Sequence, residues 1–188
     1  AGGAAWSRPA PRREPQEVGA HRRTVVAVPL VAAAGSLILG GKAAHAKLGT
    51  NDVGRIQTGY KNIVYLLNNW EEETTDSTTG KRTPDAVRSY LGLRSTTDPL
   101  FNLDKMLIKA TDQVDPDYVD DFQQALESWQ SQVAEGNSAA FISSFGEYNP
   151  GGGKETIEKY LENSHENVVR AKAALEVIGK ALSIELKA

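Results

Sequence analysis

The chain has 188 residues, of which 21 are basic and 24 acidic, and it contains no cysteine. Without cysteine, neither a disulfide framework nor a thiolate metal site can form. Residues 1–46 hold six of the basic and two of the acidic residues, which leaves 15 basic and 22 acidic residues, a net charge near −7, in residues 47–188. Nonspecific nucleic-acid binding needs clustered Lys and Arg, so we predict no nucleic-acid partner for this acidic part of the chain.

An export signal is predicted at the start of the chain. Arg22 and Arg23 precede an apolar run, residues 24–41, and the small-residue triplet Ala44-His45-Ala46 follows. This order is typical of an exported protein, and twin arginines favour the route that carries folded cargo. Because a basic segment without hydrophobic periodicity comes first, we expect residues 1–46 to be a disordered transit segment and a twin-arginine signal for the chloroplast thylakoid lumen.

Two other interpretations of this leader stay open. A bacterial periplasmic signal has the same order of charged, apolar and small residues. The apolar run of 18 residues is also near the lower limit for a helix that spans a bilayer, so residues 24–41 are a candidate for a retained membrane anchor. Pro29 and Gly35 within the run weaken that second interpretation.

Helical spacing of apolar residues runs through most of residues 47–188. A first helix is predicted from Asp52, with an apolar stripe at Ile56, Tyr60, Ile63, Leu67 and Trp70. A last helix is predicted on the stripe Ile157, Leu161, Ser164, Val168, Ala171, Leu175, Ile178 and Leu182. Steps of three and four residues place each set on one face of a helix. The polar stretch 71–82 and the glycine-rich stretch 144–153 are predicted to be loops.

Three residue–proline pairs predict further helix starts. Thr83-Pro84 opens a short helix that Gly92 ends, Asp98-Pro99 opens a second, and Asp115-Pro116 opens a longer third. The second carries Leu100, Leu103, Met106, Leu107 and Ala110, and the third carries Phe122, Leu126, Trp129 and Val133. No stretch alternates as a strand would. We therefore predict an all-α fold, with residues 47–188 forming an antiparallel four-helix bundle.

Groups for catalysis or metal binding are scarce. His165 is the one histidine beyond the leader, and Glu162-x-x-His165 lacks the second motif and the facing carboxylates that a di-iron bundle needs. Acidic residues also cluster, but without the spacing of a calcium loop, at Asp112, Asp115, Asp117, Asp120 and Asp121. We predict a surface histidine, no bound cofactor or metal, and no enzymatic activity.

Basic and aromatic residues in two segments, residues 87–101 and the loop 145–153, are candidates for a docking surface. Arg and Tyr are common at interfaces. The set that we predict to dock is Arg88, Tyr90, Arg94, Lys105, Lys109, Tyr148 and Asn149. The alternative is that the apolar and aromatic residues of the first segment simply close one end of the bundle.

Three stretches carry a resemblance to a known family: YLLNNWEEET at 65–74, VRSYLGLRSTTDPLF at 87–101 and FISSFGEYNPGGG at 141–153. They resemble the lumenal extrinsic proteins of photosystem II from red-lineage algae such as diatoms, which are PsbQ-like four-helix bundles. The resemblance implies a non-catalytic subunit that caps the lumenal face of the water-oxidising complex. It also implies that the subunit helps to retain calcium and chloride there, and that its partners are photosystem core subunits and other extrinsic subunits.

Two further functions stay open from the sequence. A subunit of photosystem I or of an antenna supercomplex would have the same character, either peripheral on the thylakoid membrane or held by residues 24–41. A lumenal bundle that binds a metal or haem is less favoured, because His165 and Met106 are the few available axial ligands beyond the leader.

Overall fold

The computed structural model describes residues 47–146 and 152–187, and within them the chain is all-α, as predicted. The helices are α1 Thr50–Asn68, α2 Trp70–Glu73, α3 Asp85–Tyr90, α4 Leu103–Ala110, α5 Val119–Ser143 and α6 Lys154–Ala181. Short 3₁₀ turns, Thr111–Gln113 and Pro116–Tyr118, join α4 to α5. No helix in this part of the chain is long and apolar enough to cross a bilayer. The twin arginines, the apolar run 24–41, Tyr148 and Asn149 lie outside the described residues.

The first predicted stripe is confirmed with a small shift. Ile56, Tyr60 and Ile63 are buried, whereas Leu66 rather than Leu67 is fully enclosed. Asp52 accepts a hydrogen bond from the Gly49 N–H at 3.1 Å, which satisfies one of the free amides at the helix start. α1 thus begins close to the predicted position and turns one face towards the core.

Two of the three predicted helix starts are confirmed to within a few residues. The Asp115 carboxylate accepts the Asp117 N–H at 3.0 Å and caps the 3₁₀ turn that leads into α5. At the short helix, the Thr83 hydroxyl accepts the Asp85 N–H at 3.4 Å, and α3 begins one residue later than predicted. Asp115 is thus the cap of its turn, whereas the residue at the N-cap of α3 is Pro84, which has no side-chain hydrogen bond.

The start predicted at Asp98-Pro99 is wrong, because α4 begins only at Leu103. The Asp98 carboxylate turns back and accepts the N–H groups of Arg94 at 3.2 Å and Ser95 at 2.8 Å instead of capping a helix. Asn102, at φ 55°, then interrupts the chain in the left-handed region just before α4. The second main helix is therefore only eight residues long.

The stretch predicted as a solvated loop, residues 71–82, is more ordered than expected. Its first turn is α2, and Thr75 pairs with Arg82 across a tight turn that the Asp76 carboxylate closes. The Arg82 guanidinium lies 2.7 Å from a Glu71 carboxylate oxygen and 3.0 Å from one of Glu158. Arg82, whose side chain is only 14% exposed, therefore fastens this turn to α6.

The two longest helices, α5 and α6, pack along each other. The Ser164 hydroxyl donates to the Gly136 carbonyl at 2.9 Å, where the helices approach closely. Early α5 residues such as Ala125 line a groove with late α6 residues such as Ala174, so this pair of helices runs in opposite directions. Phe122, Leu161, Leu175 and Ile178 are fully buried in the shared core.

A polar contact also joins α1 to α6. The Tyr60 hydroxyl donates to a Glu176 carboxylate oxygen at 2.7 Å, and the Lys172 ammonium donates to the same oxygen at 2.7 Å. Burial of Glu176 would raise its pKa, but the hydrogen bonds from Lys172 and Tyr60 outweigh that effect and lower it. The carboxylate therefore stays charged and bridges the two helices.

Candidate docking surface

Arg88 is a predicted docking residue whose side chain is held by two contacts with α5. Its Nε donates to Oδ1 of Asn137 on α5 at 3.0 Å, and its guanidinium carbon lies 5.5 Å from the centre of the Phe141 ring. These two contacts fix the half-buried guanidinium plane. No carboxylate in residues 47–146 or 152–187 forms an ion pair with Arg88.

Tyr90 is committed to the interior of the domain. Its hydroxyl donates to the Glu73 carboxylate at 3.1 Å, and its ring lies against Tyr65 with the ring centres 6.3 Å apart. Burial, together with the negative charge of Glu73, raises the pKa of Tyr90 to about 12. Tyr90 therefore holds α3 against the end of α1, which agrees with the alternative that aromatic residues close one end of the domain.

Arg94 is exposed but already has a partner. Its guanidinium forms an ion pair with Asp85 at the start of α3, so its charge is partly neutralised. Because both side chains are well exposed to solvent, such a pair contributes little to stability. The structure therefore places Arg94 at the surface without giving it a free charge.

Lys105 and Lys109 form a separate cluster on α4. Both are exposed, and with Arg55 they line an open cleft of ≈ 420 Å³ that also includes Asp52. Arg55 is used internally, since its side chain donates to the carbonyl oxygens of Pro99 at 3.2 Å and Phe101 at 2.7 Å. Neither lysine has an ion-pair partner within the described part of the chain.

The predicted site is therefore divided into parts. Arg88 lies on the α3–α5 side, Lys105 and Lys109 lie on α4, and Tyr90 is tied down at the end of α1. Tyr148 and Asn149 lie outside the described residues, so their part of the prediction has no structural counterpart here.

Sequence reasoning included Phe145 in its second candidate segment but missed that Phe145 forms an exposed aromatic pair with Phe141 next to Arg88. Phe141 and Phe145 are 47% and 45% exposed, and their rings meet edge to face with centres 5.0 Å apart. Exposed large apolar groups that touch one another mark interaction sites more often than isolated ones do. The spacing of Asn137, Phe141 and Phe145 by four residues was the available signal, because it places all three near one helix stripe.

The prediction of a surface histidine at position 165 is wrong in part. His165 is half-buried, and its ring packs edge to face on the Trp70 indole with centres 4.7 Å apart. It therefore helps to cover the junction of α1 and α2. Over residues 47–146 and 152–187, no three side chains among His, Asp and Glu are grouped closely enough to hold a metal ion.

No protein-family model matches the chain, and no curated protein or solved structure gives a significant match. The candidate docking surface is thus described by its own geometry: a cation on an aromatic pair beside α3, and two exposed lysines on α4.

Proposed function

We propose that the protein is a non-catalytic extrinsic subunit on the lumenal face of photosystem II, with residues 47–188 forming an antiparallel four-helix bundle. In this proposal α1, α5 and α6 are the long members and α4 is the short one. The protein would stabilise the oxygen-evolving complex and its retention of calcium and chloride. The three stretches that resemble red-lineage extrinsic proteins support the assignment to photosystem II.

The observation that carries the docking proposal is the lysine pair on α4. Residues 47–188 are strongly acidic overall, yet Lys105 and Lys109 extend from one short helix without a carboxylate partner in the described part of the chain. Such charges steer association with an acidic surface and weaken as salt screens them. Acidic lumenal loops of the photosystem core are the partner that fits this proposal.

The test is the salt dependence of release from thylakoid membranes. The double variant Lys105→Glu, Lys109→Glu should leave the membrane at distinctly lower salt than the wild type, which should be released by about 1 M salt. The matched control is Lys154→Glu, Lys159→Glu, two exposed lysines on the first turns of α6.

The control pair lies far from the α4 lysines. Gln57 of α1 donates to the Glu185 carbonyl, so the other end of α6 is the one that lies near the start of α1 and the α4 cleft. Equal release of both double variants would contradict docking through α4. Absence of the protein from photosystem II preparations at every salt concentration would contradict the assignment itself.

A further inference from the structure

A groove between α5 and the segment that follows α3 has features of a recognition site for a protein segment. Its volume is ≈ 440 Å³, and it is lined on one side by Leu91, Leu93 and Leu100 and on the other by Val133, Ala134 and Asn137. Leu93, which is 42% exposed, projects at its edge. The groove therefore combines apolar side chains with the polar side chains of Asn102, Asp104 and Gln130, and it is open to solvent.

The exposed aromatic pair continues this groove along α5. Ala134, Asn137 and Phe141 are separated by three and four residues, so they lie on one helix stripe. Asn137, which lines the groove, is also the residue that holds the Arg88 guanidinium. Leu93 and Asn137 line the groove, and Arg88 and Phe141 lie next to it because Arg88 contacts both Asn137 and Phe141; we call this combined surface the α3–α5 groove.

The charge of Arg88 indicates what kind of partner fits. The guanidinium uses its Nε for Asn137 and stacks on Phe141, while no described carboxylate pairs with it. Its two terminal nitrogens therefore remain available as donors for a carboxylate, which Arg binds in a fork geometry. Asp104, at the far end of the groove, would repel a second acidic group there.

We propose that the α3–α5 groove binds an extended segment of the photosystem partner that carries one acidic residue, with its carboxylate on Arg88 and its apolar side chains against Leu93 and Phe141. This proposal rests on the proposed function. From Gln130 to Phe141 the stripe is about 16 Å long at 1.5 Å per residue, which an extended segment of about five residues would span. An Arg and an aromatic residue that are already held in place are typical of the residues that dominate interface affinity.

The test measures binding of the full chain to photosystem II particles of a red-lineage alga from which extrinsic proteins have been removed by salt. Arg88→Gln and Phe141→Ala should each weaken binding and so raise the dissociation constant by about tenfold. Arg88→Gln should also flatten the salt dependence, whereas Phe141→Ala should leave it unchanged. The matched controls are Arg170→Gln and Val177→Ala, an exposed cation and an exposed apolar residue on α6.

A second measurement identifies the occupant directly. A photo-crosslinking phenylalanine analogue at position 141 should form adducts with a segment of a photosystem subunit that carries an acidic residue beside apolar ones, and the same group at position 177 should not. Adducts with a second copy of the chain or with lipid would overturn the proposal. Because Phe141 is 47% exposed and the analogue keeps its ring, the modified chain should keep the wild-type circular dichroism spectrum and melting temperature.

The binding measurement distinguishes failure of the groove proposal from failure of the proposed function. If the wild type binds the particles and both groove variants bind equally well, the groove proposal is overturned while the photosystem assignment stands. If the wild type does not bind the particles at all, the photosystem assignment fails, and the groove proposal falls with it.

Discussion

Substitution of Gly92 by Ala tests whether the turn after α3 packs closely on the backbone of Leu100. Gly92 has φ 78°, a conformation that suits glycine. It ends α3 in a turn whose N–H groups donate to carbonyls of the preceding helix. The Gly92 N–H donates to the Ser89 carbonyl at 2.9 Å, and the Leu93 N–H donates to the Arg88 carbonyl at 2.9 Å. This is the Schellman pattern, in which an αL residue satisfies the last carbonyls of a helix.

Two costs follow when a methyl group is added at this position. The left-handed conformation costs an L-residue about 1–2 kcal/mol, partly offset by roughly 0.4–1 kcal/mol from a less flexible unfolded chain. A Cβ at Gly92 would also lie 2.4 Å from the backbone carbonyl carbon of Leu100, which cannot rotate away. Overpacking of this kind costs about 1–3 kcal/mol, so we expect a total loss of about 2–4 kcal/mol.

Gly80→Ala is the matched control, because Gly80 has φ 64° but its Cβ would meet no atom within 4 Å. It should lose only the backbone part, about 1 kcal/mol or less. Urea denaturation followed by circular dichroism measures both values, and the melting temperature of the Gly92 variant should lie roughly 3–10 °C below that of the control. Equal losses for the two variants would refute the close packing of Gly92 on Leu100.

Three other variants test contacts that hold the domain together. Tyr60→Phe removes the hydroxyl that bridges to α6 and should lower the free energy of unfolding by about 0.5–1.5 kcal/mol in a denaturation assay. Tyr118→Phe is the control, because the Tyr118 hydroxyl has no hydrogen-bond partner in the described part of the chain. This control should be neutral in the same assay. Arg55→Ala removes two hydrogen bonds to the carbonyls before α4 and should speed amide exchange in that segment, measured by mass spectrometry; unchanged exchange would contradict the role of Arg55. Because the pKa of Tyr90 is raised from 10.0 to about 12, its contribution to stability is complete below pH 10 and is lost as the pH rises through 12. Ultraviolet titration of the phenols in the wild type and in Glu73→Gln checks this, and an unchanged high-pH titration in the variant would count against the Glu73 contact.

Helix class and most helix positions could be predicted because they depend on neighbours in sequence. Asp115 caps the amide two residues later, and Gly92 closes a turn over four residues, so both signals are local. The same signal failed at Asp98, because its carboxylate accepts hydrogen bonds from two amides that precede it in the chain and from none of the described amides that follow it. An Asp-Pro pair alone does not tell on which side the carboxylate will bind.

The candidate site was less predictable because its contacts join distant parts of the chain. Arg88 pairs with Asn137, 49 residues away, and Tyr90 pairs with Glu73, 17 residues away. One predicted docking residue therefore contacts α5 without an ion-pair partner in the described part of the chain, and another is used for packing, although they are two positions apart. Residue type alone suggested both, and only the arrangement of α1, α3 and α5 separates their roles.

The backbone of Arg88 gives a reason why the α3–α5 groove is suited to tight binding. Its carbonyl accepts the Leu93 N–H at 2.9 Å, so the residue that supplies the cation also positions the exposed leucine at the groove edge. Asn137 and Phe141 fix the guanidinium from the other side. In the proposed complex, association should lose less side-chain entropy, because these groups are already held by contacts within the chain. Gly92→Ala should therefore weaken docking at the groove as well as stability, whereas Gly80→Ala, in the turn after α2, should leave docking unchanged.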